Sequence, residues 1–297
     1  MNLLWPPPLP HETYSSSSQS DVSHLETQEE HHAQAQSAVD GTILALGIKA
    51  LALLHDAGGL LRMAFLFVRR LIVLRVDSLE LGRQFYRFCF GSIPITFGGS
   101  CIVGGVVAMQ GLSYLSKYNA TEVFGWAAGL SAYREVGPLL LGLTIAARLG
   151  AKNTAELMTM RSRNRLESLT ALGIDVTSVV LLPRFLAIAF STVILFPICG
   201  ITILATAFFL AEQIGGQNVF ISWHSFTTYV YAYQILQGFL RMTLFGLWVG
   251  LCSCYFACHR DERDARAIGR AVFSSSVASM CGVVMINLYL SFIVGAG

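Results

Sequence analysis

Apolar residues run in long blocks along this chain, separated by short polar punctuation. A membrane-crossing helix needs about 20 predominantly apolar residues. Five blocks meet that length, at about Ile93–Leu115, Val123–Leu149, Val179–Ala211, Thr228–Ala257 and Ala271–Val294. Ahead of them, residues 41–90 carry charge at roughly helical intervals: Lys49, His55, Asp56, Arg62, Arg69, Arg70, Arg75, Asp77, Glu80, Arg83 and Arg87. Basic amphipathic helices of this kind lie in the membrane interface, held by apolar burial and by anionic lipid. Leu60–Leu74 is apolar enough to pass for a span, but Arg62, Arg69 and Arg70 within it favour the interface. Residues 1–40 are polar, with Ser15–Ser18 in a row, and cannot bury a core. The pattern predicts an all-α integral membrane protein in three parts. These are a disordered acidic, Ser- and His-containing tail (1–40), an interfacial amphipathic helical region (41–90) and a five-span domain (91–297).

Composition agrees with the pattern. The 297 residues are 54% hydrophobic and 13% charged, with a mean hydropathy of +0.58. A soluble domain carries about 25% charged residues. The net charge of +2 conceals a division, because residues 1–40 hold six acids (Glu12, Asp21, Glu26, Glu29, Glu30, Asp40) and no Lys or Arg. The basic residues then set the orientation by their preference for the cytoplasmic side. Lys152, Arg161, Arg163 and Arg165, next to Arg148, lie between the second and third spans. Arg260, Arg263, Arg266 and Arg270 lie between the fourth and fifth. The alternate loops hold only Lys117 or no basic residue. This places the N-terminus and both basic loops in the cytoplasm and the C-terminus outside. The opening MNLLWPPPLP has no basic start and breaks at three prolines, unlike a secretory signal.

Charge inside the apolar blocks is the candidate chemistry. Ionisable groups at membrane depth cost at least about 2.5–3.5 kcal/mol each, so they line a pathway or pair with a partner. Arg134 and Glu135 stand in YREVGPLLLG, within the second block. Helical neighbours point about 100° apart, so the two are not expected to face each other. Pro138 lacks an N–H and leaves the Arg134 carbonyl without its helical bond, which predicts a kink. REVGP is either one polar wall of a substrate cavity or a knot of charge sealed in the bundle or at its outer interface. Arg241 is the only formally charged residue within the fourth block. It pairs with Glu135, contacts a lipid phosphate, or snorkels to an interface. Asn287, midway along the fifth block, lines the same cavity or makes an interhelical hydrogen bond.

Between the second and third blocks, residues 151–175 set Glu156, Arg161, Arg163, Arg165 and Glu167 among leucines and methionines, with Gly173 placed to end a helix. Short amphipathic helices there suit docking to a cytoplasmic partner, or lie on anionic headgroups. Gly246, Gly250 and Cys254 form a small-residue stripe for close helix contact, and Gly98, Gly99, Gly104 and Gly105 are placed to do the same. The seven cysteines read as packing residues. Cys252, Cys254, Cys258 and His259, and His31-His32 in the tail, are groupings that suggest a metal, but bundle packing and a solvated tail are the expected readings and no metal site is expected. No GxxxxGK[ST], HExxH or GxSxG motif occurs, so neither ATP binding nor catalysis by this chain is expected.

The block REVGPLLLGLTIAARLGAKNTAELMTMRSRNRLESLTALGID, Arg134–Asp175, resembles the signature of the MlaE/YrbE permease family. The likeness continues at Leu182-Pro183-Arg184 and at Phe245–Met280, and covers about residues 45–297. The resemblance implies an interfacial N-terminal helix and five spans, with coupling helices between spans two and three. It implies a homodimer in the bacterial inner membrane that moves phospholipid or related lipid. The implied partners are a cytoplasmic P-loop ATPase, which would bind the ATP and Mg, a periplasmic MCE-domain protein and a small STAS-domain protein. No cofactor in this chain and no nucleic acid are implied. Glu135 and Arg241 fall where the family has charged cavity residues, while Asn287 falls where some members carry Asp. Residues 151–175 match the family's ATPase-coupling region. A secondary transporter or channel is the competing reading; internal inverted repeats would favour it, and none is evident.

Overall fold

The structure, a computed structural model, describes residues 51, 54–70, 78–259 and 265–295. The tail assigned to 1–40 and most of the loop between the last two helices lie outside the described residues. Two units are distinguished, Met1–Gly58 and Gly59–Gly297. In the first, residues 54–58 are helical. The second opens with helix α1 (59–70). It continues with α2 (Ser78–Lys117), α3 (Phe124–Leu130), α4 (Val136–Ile145), α5 (Ala151–Ser162), α6 (Arg165–Ala171), α7 (Leu182–Gly215), α8 (Val219–Tyr229), α9 (Ala232–His259) and α10 (Ala265–Gly295). Every element among the described residues is helical.

Among the described residues, four stretches are long and apolar enough to cross a membrane: Ser78–Lys117, Thr177–Gly215, Ala232–His259 and Arg266–Ile293. The second predicted span behaves differently. Val123–Leu149 is helical, but it is cut into α3, a wide π-helical turn at Ser131–Glu135, α4 and a second such turn at Ala146–Gly150. A third wide turn, Thr177–Leu181, precedes α7. Prolines explain two of the three. Pro138 and Pro183 each exclude a hydrogen bond to the carbonyl four residues back, on Arg134 and Val179, and both carbonyls fall within wide turns. The predicted kink at REVGP is present in this form.

The predicted start of the fourth span, Thr228, falls in a separate helix. Val230 is extended (φ −94°, ψ 108°), which ends α8 before α9 begins at Ala232. Asn218 caps α8, its Oδ1 accepting from the Phe220 amide at 2.9 Å. At the restart, Gln234 Oε1 accepts from the Tyr231 amide at 3.3 Å. Around this break, Phe220, Trp223, Tyr229, Tyr231 and Tyr233 are exposed. Amphipathic aromatics of this kind suit the headgroup level of a bilayer.

In the bundle, α2 lies along α7, α7 along α9, and α9 along α10. The small-residue stripe of α9 acts as expected. A Cβ on Gly246 would come within 2.2 Å of Thr192 Oγ1, and one on Gly250 within 3.2 Å of the Phe185 carbonyl. Cys254 Sγ lies 4.0 Å from the Leu181 carbonyl. Positions 246, 250 and 254 thus descend α7 in antiparallel steps of about one turn, which only small side chains permit. Of the four glycines named in α2, only Gly104 is held this closely; its Cβ would lie 2.6 Å from the Ile203 carbonyl. One core cluster centres on Phe124, Phe196, Ile203 and Phe245, and a second joins Phe67, Leu157, Phe185 and Tyr255.

Candidate functional site

The structure gathers the candidate residues into two sites, in opposite halves of α9. The first surrounds the wide turn Ser131–Glu135. Glu135 leaves helical geometry (φ −126°, ψ −66°), and the Val136 amide reaches back to the Ser131 carbonyl. Gly137 is needed there, since a Cβ would fall 1.8 Å from the Ala132 carbonyl oxygen. Contrary to expectation from a regular helix, Arg134 Nε and Glu135 Oε1 approach to 3.9 Å. The wide turn and the irregular dihedrals at Glu135 remove the 100° separation. The contact is a loose one: Arg134 Nε is buried without a hydrogen bond, and the Glu135 side chain is 60% exposed.

Helix α9 is held against this turn by Gly238, whose Cβ would lie 2.3 Å from the Tyr133 carbonyl. Arg241 follows one turn later and is 2% exposed. Its partner is not Glu135. Arg241 Nη1 donates to Asn287 Oδ1 of α10 at 3.0 Å, and Nη2 is buried with no hydrogen bond. Glu135 and Arg134 both act on Arg241 electrostatically, but no ion pair joins Arg241 to either of them. The packing of α9 on α10 brings the Asn287 amide within reach, so the interhelical hydrogen bond takes the place of the expected counter-ion. Arg134, Glu135, Arg241 and Asn287 therefore form one neighbourhood. A turn further along α9, Leu244, Trp248 and Leu251 line an apolar groove of about 540 Å³ with Phe67, Phe185 and Ile286.

The second site is built on α5 and α6. Glu156 accepts from Arg184 Nη1 at 3.1 Å and pairs with Arg87 Nη2 at 3.2 Å. Arg184 Nη1 also donates to Asn153 Oδ1 at 3.3 Å, and Asn153 Nδ2 donates to Ser253 Oγ at 2.9 Å. Thr154 Oγ1 joins Ser275 Oγ at 2.9 Å and the Gly150 carbonyl at 2.9 Å. Arg184, Asn153, Thr154, Ser253 and Ser275 are all buried. Four helices, α5, α7, α9 and α10, are thus locked by one polar network, and α2 joins through Arg87.

The five residues grouped from the sequence as one docking face divide here. Glu156 faces the network, and Arg161 donates to the Cys258 carbonyl at the end of α9. Arg163, Arg165 and Glu167 are exposed. Arg163 and Arg165 border a cavity of about 320 Å³ with Arg87, Glu156 and Met160. Beyond α6, Arg70 of α1 pairs with Asp175, which also accepts from Ser178 Oγ at 2.9 Å and from the Thr177 amide at 3.2 Å. Sequence reading missed the roles of Arg184, Asn153 and the Arg70–Asp175 pair. Arg184 carried a signal, being a lone guanidinium at the head of a long apolar block. His259 stacks on Tyr255 at 4.4 Å, while Cys252 and Cys254 are buried.

Comparison with known proteins decides what kind of molecule carries these sites. The family model "Permease MlaE" matches residues 81–293, most of the chain. The chain belongs to the MlaE permease family. The permease is 28% identical over 212 residues to the "Probable ABC transporter permease protein RP096" of Rickettsia prowazekii, covering 70% of this chain and 80% of that one. It is 28% identical over 210 residues to the intermembrane phospholipid transport system permease protein MlaE of Haemophilus influenzae, covering 66% and 77%. The chloroplastic protein TRIGALACTOSYLDIACYLGLYCEROL 1 of Arabidopsis thaliana is 24% identical over 208 residues, covering 69% and 59%. The matched region contains both sites, from Arg87 to Asn287. Membership places the permease among transport proteins.

Proposed function

We propose that this chain is the membrane subunit of an ABC transporter that moves phospholipid or a related lipid. In this reading it exchanges lipid between the inner membrane and a periplasmic MCE-domain assembly. A separate cytoplasmic P-loop ATPase supplies the energy, two copies of the chain form the permease, and a STAS-domain protein is a further partner. Val123–Leu149 acts as a broken second span between the four long helices, giving five. The Lys and Arg distribution sets the N-terminus in the cytoplasm and the C-terminus in the periplasm.

The observation that carries the lipid reading is Arg241. A guanidinium with one buried, unpartnered Nη2 stands a turn from an apolar groove. A phosphodiester headgroup supplies the acceptor oxygen that Nη2 lacks, and acyl chains suit the groove. Glu135, exposed and beside a wide turn, is placed to meet the headgroup's cationic part. The Haemophilus relative's role in phospholipid transport supports the same assignment.

The α5–α6 segment supplies the ATPase contact. Leu172 is 75% exposed and Ile174 38% exposed, just beyond α6, forming an apolar tip. Mild-detergent purification followed by mass spectrometry should recover bound lipid and a P-loop ATPase. Leu172→Asp should deplete the ATPase while leaving the lipid in place. ATP-independent transport by the isolated chain would overturn the proposal.

A further inference from the structure

The α5–α6 end contains two adjoining cavities. The cavity bordered by Arg87, Arg163, Arg165 and Met160 adjoins another of about 250 Å³, bordered by Arg165, Met160, Arg184, Leu166, Leu169 and Val180. Met160 and Arg165 belong to both walls. We propose that this double cleft binds the phosphate of an anionic amphiphile, with the phosphate held by Arg163 and Arg165 and the apolar part against Leu166, Leu169 and Val180.

Three observations converge. Arg163 and Arg165 are exposed and make no side-chain hydrogen bond or ion pair among the described residues. Arg184 is buried, and its Nη2 has only the Met160 thioether as acceptor, at 3.9 Å. A thioether is a weak acceptor, so a buried donor here is left short of a partner at the shared wall. Of the carboxylates on the two walls, Glu156 is balanced by Arg87 and Arg184, while Glu80, on the second cavity, accepts only the neutral Gln84 amide at 2.6 Å and keeps its charge, so the phosphate falls to the first cavity. Arginine forks match phosphate oxygens in pairs, and the unpaired forks here have no protein acceptor.

Either a lipid headgroup or free phosphate could bring this chemistry. The apolar second cavity favours the headgroup, because a free anion gains nothing from Leu166 and Leu169. The site is distinct from Arg241 and stands whether or not the transported cargo is lipid.

The test uses the full-length chain in mild detergent, titrated by calorimetry with dihexanoyl phosphatidic acid, inorganic phosphate and dihexanoyl glycerol. Wild type should bind the phosphatidic acid, and Arg163→Gln with Arg165→Gln should weaken it by roughly tenfold or more. Arg83→Gln removes the same kind of exposed charge elsewhere on α2 and should change affinity by less than about twofold. In an Arg241→Ala background, which removes the headgroup contact proposed at the groove, the Arg163→Gln with Arg165→Gln change should still weaken phosphatidic acid binding by roughly tenfold, which separates the result from the transport site. Tighter binding of phosphatidic acid than of inorganic phosphate supports the proposal, and equal binding overturns it in favour of a site for free phosphate. Equal binding of the uncharged dihexanoyl glycerol, or an unchanged affinity in the double variant, would overturn the proposal.

Discussion

Arg184 and Arg241 are each 2% exposed, in the same bundle, yet their surroundings differ. Arg184 Nη1 has a carboxylate and an amide oxygen within 3.3 Å, and the chain of bonds runs on through Asn153 to Ser253. Arg241 has one amide oxygen, a bare Nη2 and a carboxylate that acts on it only from a distance. The helices around them differ in the same sense. Near Arg184 the small-residue stripe of α9 meshes with α7 without interruption. Near Arg241 the facing segment is a wide turn, and Arg134 Nε also lacks a hydrogen bond. Buried charge with most of its bonds made holds helices together. Buried charge with bonds left open, next to an apolar groove, is arranged for something that arrives from outside the chain.

This contrast can be broken first at its most stable point. Arg184→Ala leaves Glu156 with Arg87 alone and takes the donor from Asn153 Oδ1, and breaking a buried pair costs up to about 3–5 kcal/mol. The thermal midpoint in detergent should fall steeply, and a near-normal midpoint would show that the network is not the lock described here. Gly137→Ala comes next. Its Cβ cannot fit against the Ala132 carbonyl, so the wide turn must shift at a cost of roughly 1–3 kcal/mol, with transport in proteoliposomes reduced alongside.

Arg241→Ala should invert the Arg184 result. Only one strong bond is lost, so the midpoint should move by about 1 kcal/mol in stability terms. Lipid retention should fall by roughly tenfold, the value of one charge-assisted headgroup contact. A large midpoint drop with lipid retained would make the two arginines alike. The smallest change is expected from Asn287→Asp, which offers Arg241 a charged partner. A gain of roughly 0.5–1 kcal/mol in stability, with faster lipid release, would show that the open bond is what the lipid uses.

Much of this was legible in the chain. The long helices follow from apolar runs, the wide turn at Ser131–Glu135 from Pro138, and the α7–α9 contact from the 246–250–254 spacing. The charges that matter were visible as charges out of place. Their partners were not. Glu135 was the natural counter-ion for Arg241 by charge alone, and a neutral asparagine on α10 took that place. Glu156 and Arg161 looked like part of a solvent-facing docking strip, but each turns inward. The break at Val230 also passed unseen, because VYAYQIL is apolar on both sides of it and contains neither glycine nor proline.

What the sequence by itself determined is therefore local: helicity, the positions of the apolar blocks, the distortion at Pro138 and the family to which the permease belongs. These depend on residues within a few turns of one another, through backbone hydrogen bonding and side-chain period. Only the tertiary structure decided which charges are sealed and which are left open. Arg184 meets Glu156 across 28 positions, and Arg241 meets Asn287 across 46. The rotation and depth at which two helices pack set such pairings, and no local pattern records either.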